Sequence, residues 1–321
     1  MTAGPVLWVT RRLPAAVESA LRAEFDVRQR EDDAPLDAAA LATAFREADA
    51  ILCTVTDRLP AELFATERRR VRIVANFGVG VNHIDLDAAR RAGVAVTNTP
   101  DVLTDDTADL ALLLMLAVLR RSGEGERELR AGRWTGWRPT HLLGARFTGK
   151  TLGIVGLGRI GLAVAQRASA GFGMRVLAWS RSAPRGPEPG VERVATLDAL
   201  LPQVDVLSLH CPATPATRHL IGAAQFAAMP RHAVLVNTAR GDVVDEAALV
   251  AALEAGVIAG AGLDVFEREP SVHAGLLERD DVVLLPHLGS ATRETREAMG
   301  FRALANLRAF LAGKAPDDRV A

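Results

Sequence analysis

The sequence predicts an α/β protein with two doubly wound, parallel-sheet domains. Short apolar strands alternate with helical segments in two successive blocks, the second of which begins at Lys150. That second block opens with a glycine-rich turn of the kind that binds dinucleotides. A chain of 321 residues is long enough for two such domains, each with a core of its own.

Composition and charge exclude several classes of protein. Hydrophobic residues make up 49% and charged residues 24% of the chain, which is typical of a globular protein. A formal net charge of −1 supplies no basic field for nucleic acid or an anionic membrane. The longest apolar run, 110–119, is too short for a membrane span, and no signal peptide opens the chain, so we expect a cytoplasmic protein. Cys53 and Cys211 form no disulfide framework or metal-ligand cluster.

The elements of the first block follow from its apolar spacing. Strands are predicted at 6–10, 25–29, 50–55, 72–75 and 94–97, and helices at 14–23, 37–47 and 85–92. A helix follows at 103–121, with Thr104 or Asp105 as its N-cap. Because this helix is apolar almost all round, it should be buried between domains or in a subunit interface. The connection 123–149 holds Trp134 and Trp137, for which core anchoring is favoured over contact with a partner.

The second block predicts six strands, as in a complete dinucleotide-binding domain. They lie at 152–155, 175–179, 204–209, 233–237, 260–265 and 282–285, with helices at 198–201, 223–229 and 246–255 and a Pro/Gly-rich loop at 184–190. A last helix, 291–311, could return to the first block.

The glycine pattern after the first strand of this block has a physical explanation. Gly156 permits a tight turn, Gly158 lets a pyrophosphate approach the backbone, and Gly161 lets helix and strand pack closely. A packing turn alone would need similar glycines. The order strand, glycines, helix, strand favours a dinucleotide site, with phosphates at the helix N-terminus.

The residues after the second strand of the block concern the choice of cofactor. Ser180 stands where an acidic residue would bind the ribose 2′-hydroxyl of NAD. Arg181, Ser180 and Ser182 could instead receive a 2′-phosphate, which favours NADP(H). If Arg181 only stacks on the adenine, NAD(H) would be used.

Three ionisable residues follow the predicted strands that end the block. Arg240, Glu269 and His287 lie just beyond carboxyl ends, where open α/β sheets bind ligands. Any one of them could be an ordinary loop residue. Together they suit hydride transfer to a 2-oxo acid, because a guanidinium binds a carboxylate bidentately and histidine donates a proton near neutral pH. A carboxylate beside that histidine would favour its protonated form and fix its ring.

With these motifs the chain resembles the D-isomer-specific 2-hydroxyacid dehydrogenases over essentially its whole length. The family's arginine, glutamate and histidine fall on Arg240, Glu269 and His287, within the matching segments 264–270 (DVFEREP) and 286–289 (PHLG). Segments 98–104 and 286–292, and the spacing of Trp134, Trp137 and Pro139, are most similar to glyoxylate/hydroxypyruvate reductases.

The resemblance implies a particular domain organisation. A flavodoxin-like substrate domain, residues 1–100 plus 288–321, would contain an inserted Rossmann cofactor domain, residues 101–287. It also implies a homodimer built through the cofactor domains. In similar reductases a tryptophan at the position of Trp137 reaches the active site of the partner, which is a hypothesis for this chain.

Site residues are implied by the same resemblance, and no metal is among the expected ligands. Substrate would be bound by Val79 and Gly80 through their backbone N–H groups and by Arg240, His287 and Ser290. The cofactor would be bound by Gly156, Gly158, Arg159, Ile160, Gly161, Ser180, Arg181, Ser182, Cys211, Pro212, Thr217, Thr238, Arg240, Asp264, His287 and Gly289.

We therefore expect an NADPH-preferring reductase of small 2-oxo acids, glyoxylate and hydroxypyruvate first, that yields the D-2-hydroxy acid. His287, supported by Glu269, would donate the proton, so that reduction should slow as rising pH removes it. An NAD-dependent dehydrogenase of 3-phosphoglycerate or of a bulkier 2-oxo acid is one alternative. A non-catalytic, nucleotide-sensing binding protein of the same fold is another.

Overall fold

A computed structural model describes residues 4–183 and 186–321 of the chain. Within them, strands and α-helices alternate along most of the sequence. The strands are β1 Val6–Val9, β2 Asp26–Arg28, β3 Ala50–Thr54, β4 Ile73–Phe77, β5 Ala95–Thr97, β6 Thr151–Val155, β7 Arg175–Trp179, β8 Val191–Arg193, β9 Val206–Leu209, β10 Val234–Asn237, β11 Gly260–Leu263 and β12 Val282–Leu284. The helices are α1 Ala15–Glu24, α2 Ala38–Glu47, α3 Ala61–Phe64, α4 Leu86–Arg91, α5 Thr104–Leu119, α6 Ser122–Arg130, α7 Arg159–Phe172, α8 Leu197–Leu200, α9 Ala223–Ala228, α10 Glu246–Glu254, α11 Ala274–Leu277 and α12 Arg293–Leu311. The predicted loop 184–190 includes two residues, 184 and 185, that lie outside the described residues.

The chain divides into two compact units, each with one sheet. Met1–Leu103 and Ser290–Ala321 form the first unit, and Thr104–Gly289 forms the second. The first sheet has the strand order β2-β1-β3-β4-β5, and the second has the order β12-β11-β10-β9-β6-β7-β8. Every pairing between these strands is parallel. The first order is that of flavodoxin-like folds and the second that of dinucleotide-binding domains, so the predicted fold class is confirmed.

Both faces of the second sheet are covered, as a parallel sheet requires. Leu152 and Ile154 of β6 point into a cluster that also contains the buried residues of α5 and α7. Val155, the neighbour of Ile154, belongs to a second cluster on the opposite face, together with Leu209 and Leu235. This alternation along the strands holds the carboxyl ends of β6, β9 and β10 side by side.

Helix α5 is buried mostly within its own unit. Leu114 and Met115 are fully buried, and the helix contacts α7 and the strands β10, β11 and β12. The sequence predicted burial between domains or in a subunit interface, but the sheet of the second unit covers most of this helix. Leu113 is the exception and is 53% exposed. Among the described helices, none combines the length and apolar character needed to cross a membrane.

The segment after α5 departs from the prediction in two ways. Residues predicted as part of a connection form helix α6, which buries none of its side chains. Trp134 and Trp137 are 51% and 82% exposed in the single chain. The prediction that these tryptophans anchor the core is therefore wrong, because neither indole is covered by this chain.

The last residues of the chain complete one edge of the first sheet. Helix α12 packs against β4 and α1, and the chain then runs beside β5. Val96 donates its N–H to the carbonyl of Ala321 at 3.1 Å and accepts the N–H of Val320 at 2.8 Å. Thr97 and Arg319 form an antiparallel bridge. The first unit therefore needs residues from both ends of the chain.

Candidate active site

The glycine turn after β6 has the close contacts that its sequence predicts. Gly156 has a φ of +94°, and a Cβ there would lie 2.6 Å from the backbone nitrogen of Cys211. A Cβ on Gly161 would lie 2.3 Å from the carbonyl oxygen of Gly156. At both positions any side chain would collide with backbone, so the turn requires glycine.

Gly158 differs from these two glycines because it has open space around it. Apart from Gly158, its two chain neighbours and the adjoining helix backbone, no described protein atom lies within 4 Å of the position a Cβ would take. Gly158 is also the N-cap of α7, and no side chain caps that helix end. The first turn of a helix carries N–H groups without intrahelical partners and the positive end of the dipole. The exposed Arg159 and half-buried Ile160 lie in that first turn, and the arrangement fits a pyrophosphate.

The residues predicted to select the cofactor lie at the carboxyl end of β7. Arg181 and Ser182 are exposed and Ser180 is half-buried. The carbonyl of Ser182 accepts a hydrogen bond from Arg193 at 3.0 Å, which ties this turn to β8. Arg181 is close enough to Cys211 that its charge acts on the thiol. A guanidinium and two hydroxyls therefore share the end of one strand.

The loop after β9 contributes a buried thiol and a buried hydroxyl. Burial raises the pKa of Cys211 to about 11, although its own backbone hydrogen bond and Arg181 lower it. The side chain therefore remains a neutral thiol at physiological pH. Thr217 is buried, and its hydroxyl donates to the carbonyl of Pro212 at 2.7 Å and accepts the N–H of Thr214 at 2.8 Å. These bonds shape the loop beside the glycine turn.

Thr238 directly follows β10, at the carboxyl edge of the second sheet, which is called the rim below. Its side chain lacks a hydrogen bond to any described residue. Its side-chain oxygen is buried and has no hydrogen-bond partner within the described part of the chain. A buried hydroxyl without a partner costs about 1–3 kcal/mol. A bound dinucleotide could supply that partner. The unsatisfied hydroxyl of Thr238 and the glycine turn therefore both favour a dinucleotide site.

Arg240 stands two residues further on, in a turn held by its neighbours. Its backbone carbonyl accepts a hydrogen bond from the side-chain amide of Asn237 at 2.9 Å, and its guanidinium donates to the carbonyl of Ala239 at 2.7 Å. Burial lowers the pKa of Arg240, while the nearby charge of Glu269 raises it. Arginine nonetheless keeps its charge at physiological pH. The site thus contains a fixed, half-buried cation.

His287 and Glu269 form a direct pair. The Nδ1 atom of His287 lies 2.8 Å from Oε2 of Glu269, and Oε1 of Glu269 accepts the N–H of Phe266 at 3.1 Å. With Nδ1 engaged in this way, Nε2 is the ring nitrogen left to face a ligand. The predicted pairing of the histidine with a carboxylate is therefore present in the geometry.

Asp264 holds the backbone that carries His287. Its two carboxylate oxygens accept the N–H groups of Leu288 at 2.6 Å and Gly289 at 2.8 Å, and its carbonyl accepts the N–H of His287 at 2.9 Å. His287 has a φ of +54°, which few residues other than glycine adopt. The hydroxyl of Thr107 donates to the carbonyl of Gly289 at 3.0 Å. Asp264 thus stabilises a strained turn rather than facing open space.

The two carboxyl groups beside His287 have pKa values shifted in opposite directions. Burial raises the pKa of Asp264, outweighing the N–H bonds and the charge of His287. Burial also pushes the pKa of Glu269 upward, but the hydrogen bond and charge of His287, the Phe266 N–H and Arg240 together lower it. Opposed shifts in neighbouring carboxyl groups are a common way to separate their roles. Glu269 therefore carries its negative charge beside the His287 ring at neutral pH.

A network that the sequence did not reveal joins the loop after β10 to the loop after β11. A Cβ on Gly241 would lie 1.9 Å from the carbonyl carbon of Phe266, so the two backbones are in contact. Glu246 is buried, accepts the N–H of Glu267 at 2.8 Å, and donates its own N–H to the Glu267 carboxylate at 3.3 Å. His219 bonds the other oxygen of that carboxylate. The sequence signal for this network was the acidic pair Asp245-Glu246 at the start of a helix. The spacing of the sequence did not indicate which residue this carboxylate would contact.

The first unit contains the glycine loop, residues 76–80, which the resemblance assigned to substrate. Asn76, fully buried at the end of β4, donates to the carbonyls of Gly78 at 2.9 Å and Gly80 at 3.0 Å. Asn98 donates to the carbonyl of Val79 at 2.9 Å. Three successive carbonyls are therefore engaged by protein donors.

The predicted site residues thus fall into both units. Arg240, Glu269 and His287 come together with the cofactor-rim residues in the second unit. Val79, Gly80 and Ser290 belong to the first unit, where the carbonyl of Ser290 accepts a hydrogen bond from Arg296 at 3.0 Å. Among the described residues, no group of three or more His, Cys, Asp or Glu side chains could hold a metal ion.

Comparison with known proteins agrees with this architecture. The model of the D-isomer specific 2-hydroxyacid dehydrogenase NAD-binding domain matches residues 112–289. Glyoxylate reductases of Thermococcus litoralis and Korarchaeum cryptofilum are 43% and 45% identical to this chain, over 98% of it and 96% of each relative.

Solved structures show the same likeness along the whole chain. The NADPH-dependent glyoxylate/hydroxypyruvate reductase of Sinorhizobium meliloti, in complex with NADP and malonate, is 39% identical with a TM-score of 0.89, over 99% of this chain and 97% of that one. A glyoxylate reductase from Paecilomyes thermophila is 35% identical with a TM-score of 0.88, over 100% and 99% of the two chains.

Fold, site and relatives define an NAD(P)-dependent oxidoreductase. The chain belongs to the D-isomer specific 2-hydroxyacid dehydrogenase family. Its relatives make it a 2-oxo acid reductase of the glyoxylate reductase type.

Proposed function

We propose that the protein is an NADPH-preferring reductase of small 2-oxo acids, glyoxylate and hydroxypyruvate first, that forms the D-2-hydroxy acid. The observation that carries this proposal is the contact of 2.8 Å between His287 and Glu269, on the same rim as the half-buried cation of Arg240. The activities of the relatives from Thermococcus litoralis and Sinorhizobium meliloti support the substrate class.

The roles of the three residues follow from their chemistry. Arg240 would bind the substrate carboxylate and polarise the neighbouring carbonyl, because its guanidinium keeps its charge and donates two parallel hydrogen bonds. His287 would donate its Nε2 proton to the carbonyl oxygen as negative charge develops there. Glu269 would hold the ring through Nδ1 and so orient Nε2 toward the carbonyl oxygen. Val79, Gly80 and Ser290 of the first unit would also contact the substrate.

The second unit would be the cofactor domain and the first the substrate domain. The bound nicotinamide dinucleotide would supply the hydride. Gly156, Gly158 and Gly161 would receive its pyrophosphate at the start of α7, with Arg159, Ile160 and the loop of Cys211, Pro212 and Thr217 around it. Thr238, Asp264 and Gly289 would lie at its nicotinamide end.

The preference for NADPH rests on the end of β7. The positive charge of Arg181 and the hydroxyls of Ser180 and Ser182 suit a 2′-phosphate, and no carboxylate occupies these three positions to repel it. Replacing Ser180 by Asp and Arg181 by Ala together should raise the ratio of NADH to NADPH turnover by about 10- to 100-fold, since a charge-assisted bond is lost. An unchanged ratio would remove these residues from cofactor selection.

The test of the proposal is the oxidation of NADPH and of NADH, followed by absorbance, with glyoxylate, hydroxypyruvate, pyruvate and phenylpyruvate. Faster turnover with NADPH and a two- or three-carbon acid is the expected result. Preference for NADH or for phenylpyruvate would instead favour an NAD-dependent dehydrogenase of a bulkier substrate. Cofactor binding without any turnover would favour the nucleotide-sensing protein.

The exposed tryptophans support a homodimer. Trp137 is 82% exposed, and Leu129, Trp134 and Leu143 on the same connection are each more than half exposed. Several large apolar side chains exposed on one segment are a common sign of an interface. Sedimentation of the protein at micromolar concentration should give the mass of two chains, and Trp137→Arg should reduce it to one. A cytoplasmic location remains a prediction.

A further inference from the structure

In the glycine loop of the first unit, the carbonyls accept hydrogen bonds from protein donors, whereas two of the N–H groups have no protein acceptor among the described residues. The carbonyls of Gly78, Val79 and Gly80 all accept hydrogen bonds from asparagine side chains, and Gly78 also accepts the N–H of Thr99 at 3.1 Å. By contrast, the N–H groups of Val79 and Gly80 donate to no protein acceptor in the described residues. Consecutive N–H groups left over in this way form a concave anion site.

Asn76 makes two of the three asparagine hydrogen bonds that produce this asymmetry. Its side chain is fully buried, and one amide nitrogen bonds the carbonyls on both sides of Val79, at 2.9 and 3.0 Å. Its own orientation is fixed, because its Oδ1 lies 3.1 Å from Nε2 of His83 and 3.7 Å from Sγ of Cys53. A peptide plane whose carbonyl is held inward must direct the N–H of the following residue away from that donor.

We infer that Asn76 is a positioning residue for substrate recognition, because by holding the carbonyl of Gly78 it directs the N–H of Val79 toward the carboxylate of the 2-oxo acid. The N–H of Gly80 shares its peptide plane with the carbonyl of Val79, which Asn98 holds. The inference rests on the proposed function, since it assigns the loop to a carboxylate substrate. Asn76 does not touch the substrate in this scheme. It holds the loop in its binding conformation, so that substrate binding does not incur the entropic cost of ordering the loop.

The experiment compares two buried asparagines of the same unit. Asn76→Leu removes the donors to the loop without adding charge. Asn306→Leu removes a buried asparagine whose amide makes no bond to residues 76–80; it donates to Asp318 at 3.0 Å and to the backbone carbonyl of Asn98 at 3.3 Å. For each protein, binding of oxamate, a non-reducible 2-oxo acid analogue, is measured by titration with NADPH present, together with KM, kcat and the Kd for NADPH.

We expect Asn76→Leu to weaken oxamate binding and raise KM by about tenfold or more, because the bonds concerned are made to a charged group. The Kd for NADPH should be unchanged, and Asn306→Leu should stay within about threefold of the wild type in both constants while losing thermal stability. Equal oxamate affinity in Asn76→Leu and the wild type would overturn the inference. So would an equal loss in both variants, because it would show a general effect of opening the core.

A second variant keeps the inference testable if the leucine protein does not fold. Asn76→Asp preserves the shape and the acceptor for His83 but cannot donate to both carbonyls. In the wild type, oxamate should shift the amide resonances of Val79 and Gly80, and in Asn76→Asp the shift of Val79 should be lost. Unaltered shifts in that variant would overturn the inference. A wild type that shows the shifts but reduces no 2-oxo acid would reject the proposed reaction and leave the role of Asn76 standing.

Discussion

The rim around His287 and the glycine loop around Asn76 are held by different chemistry. The rim depends on ionisable side chains, with Asp264 on the backbone and Glu269 on the ring. The loop is held by the neutral side-chain amides of Asn76 and Asn98, whose N–H groups donate to its carbonyls. A group that moves a proton must titrate near working pH, whereas a group that only holds a charge should not. Changes in the rim should therefore alter the pH dependence of turnover, and changes in the loop should not.

The largest effect expected is that of His287→Gln. Loss of the general acid should lower the reductive kcat by about 10²- to 10⁴-fold, and the residual rate should no longer decline with rising pH. Pre-steady-state transients would show whether the hydride step itself is slowed, and the Kd for NADPH serves as the control. A rate equal to that of the wild type would remove His287 as the proton donor.

Glu269→Gln should produce a smaller, pH-dependent loss. The pKa of Glu269 is lowered in the folded protein, so its carboxylate charge beside His287 is present above that pKa and disappears as the pH falls through it. Glutamine can still accept from Nδ1 but carries no charge. The activity loss should be about tenfold at neutral pH and should shrink as the pH falls, because the wild-type carboxylate then loses its charge as well. A uniform loss at every pH would show that Glu269 acts only by position.

Asn98→Ala tests the other side of the comparison. Its amide makes one bond to the carbonyl of Val79, at 2.9 Å, from a half-buried position. Losing it should raise the KM for glyoxylate by about two- to fivefold, which corresponds to one neutral hydrogen bond. The factor should be the same from acid to alkaline pH. A KM effect that varied with pH would break the distinction drawn between rim and loop.

Asp57 in the first unit is a buried carboxyl outside both regions, and it should affect stability alone. Thr10 and Thr54 donate to one of its oxygens, while the other has no partner within the described residues. Burial raises the pKa of Asp57, so its contribution to stability is fully present below the unfolded value of about 3.9 and is lost as pH rises through the folded-state pKa.

Asp57→Asn should therefore raise the Tm at pH 7 by about 2–4 °C, because a buried charge is removed. The difference from the wild type should shrink as the pH is lowered. Thermal scans from pH 4 to 8 measure both quantities. A lower Tm for the variant throughout that range would show that Asp57 is stabilised by its threonine donors in the charged form.

Sequence patterns predicted the elements that have strong periodicity and missed those without it. Strand β8, Val191–Arg193, is short, polar and at an edge, so it carries no apolar alternation. Helix α6 buries no side chain and contains two glycines, and it starts with the ion pair between Arg121 and Glu124. Such elements are fixed by neighbours that a local pattern does not record.

The site shows the same division. Arg240, Glu269 and His287 could be predicted because each type has a chemical role and each follows a strand. The functions of Asn76 and Glu246 could not, since they act through bonds to main-chain groups of other residues. Nor could spacing reveal that Trp134 and Trp137 would remain uncovered, because burial of an indole depends on what the rest of the chain places against it.

The pairing of residues 318–321 with β5 has a consequence for biosynthesis. A ribosome makes all of Thr104–Gly289 before it makes α12 and the segment that lies beside β5. The second unit can therefore fold while the nascent chain is still growing, since domains fold as units during synthesis. The first unit cannot be completed until α12 and the last residues have been made. Until then α12 does not cover β4, and the edge of β5 stays open. During translation, chaperones would accordingly find their exposed apolar surface in the residues made first.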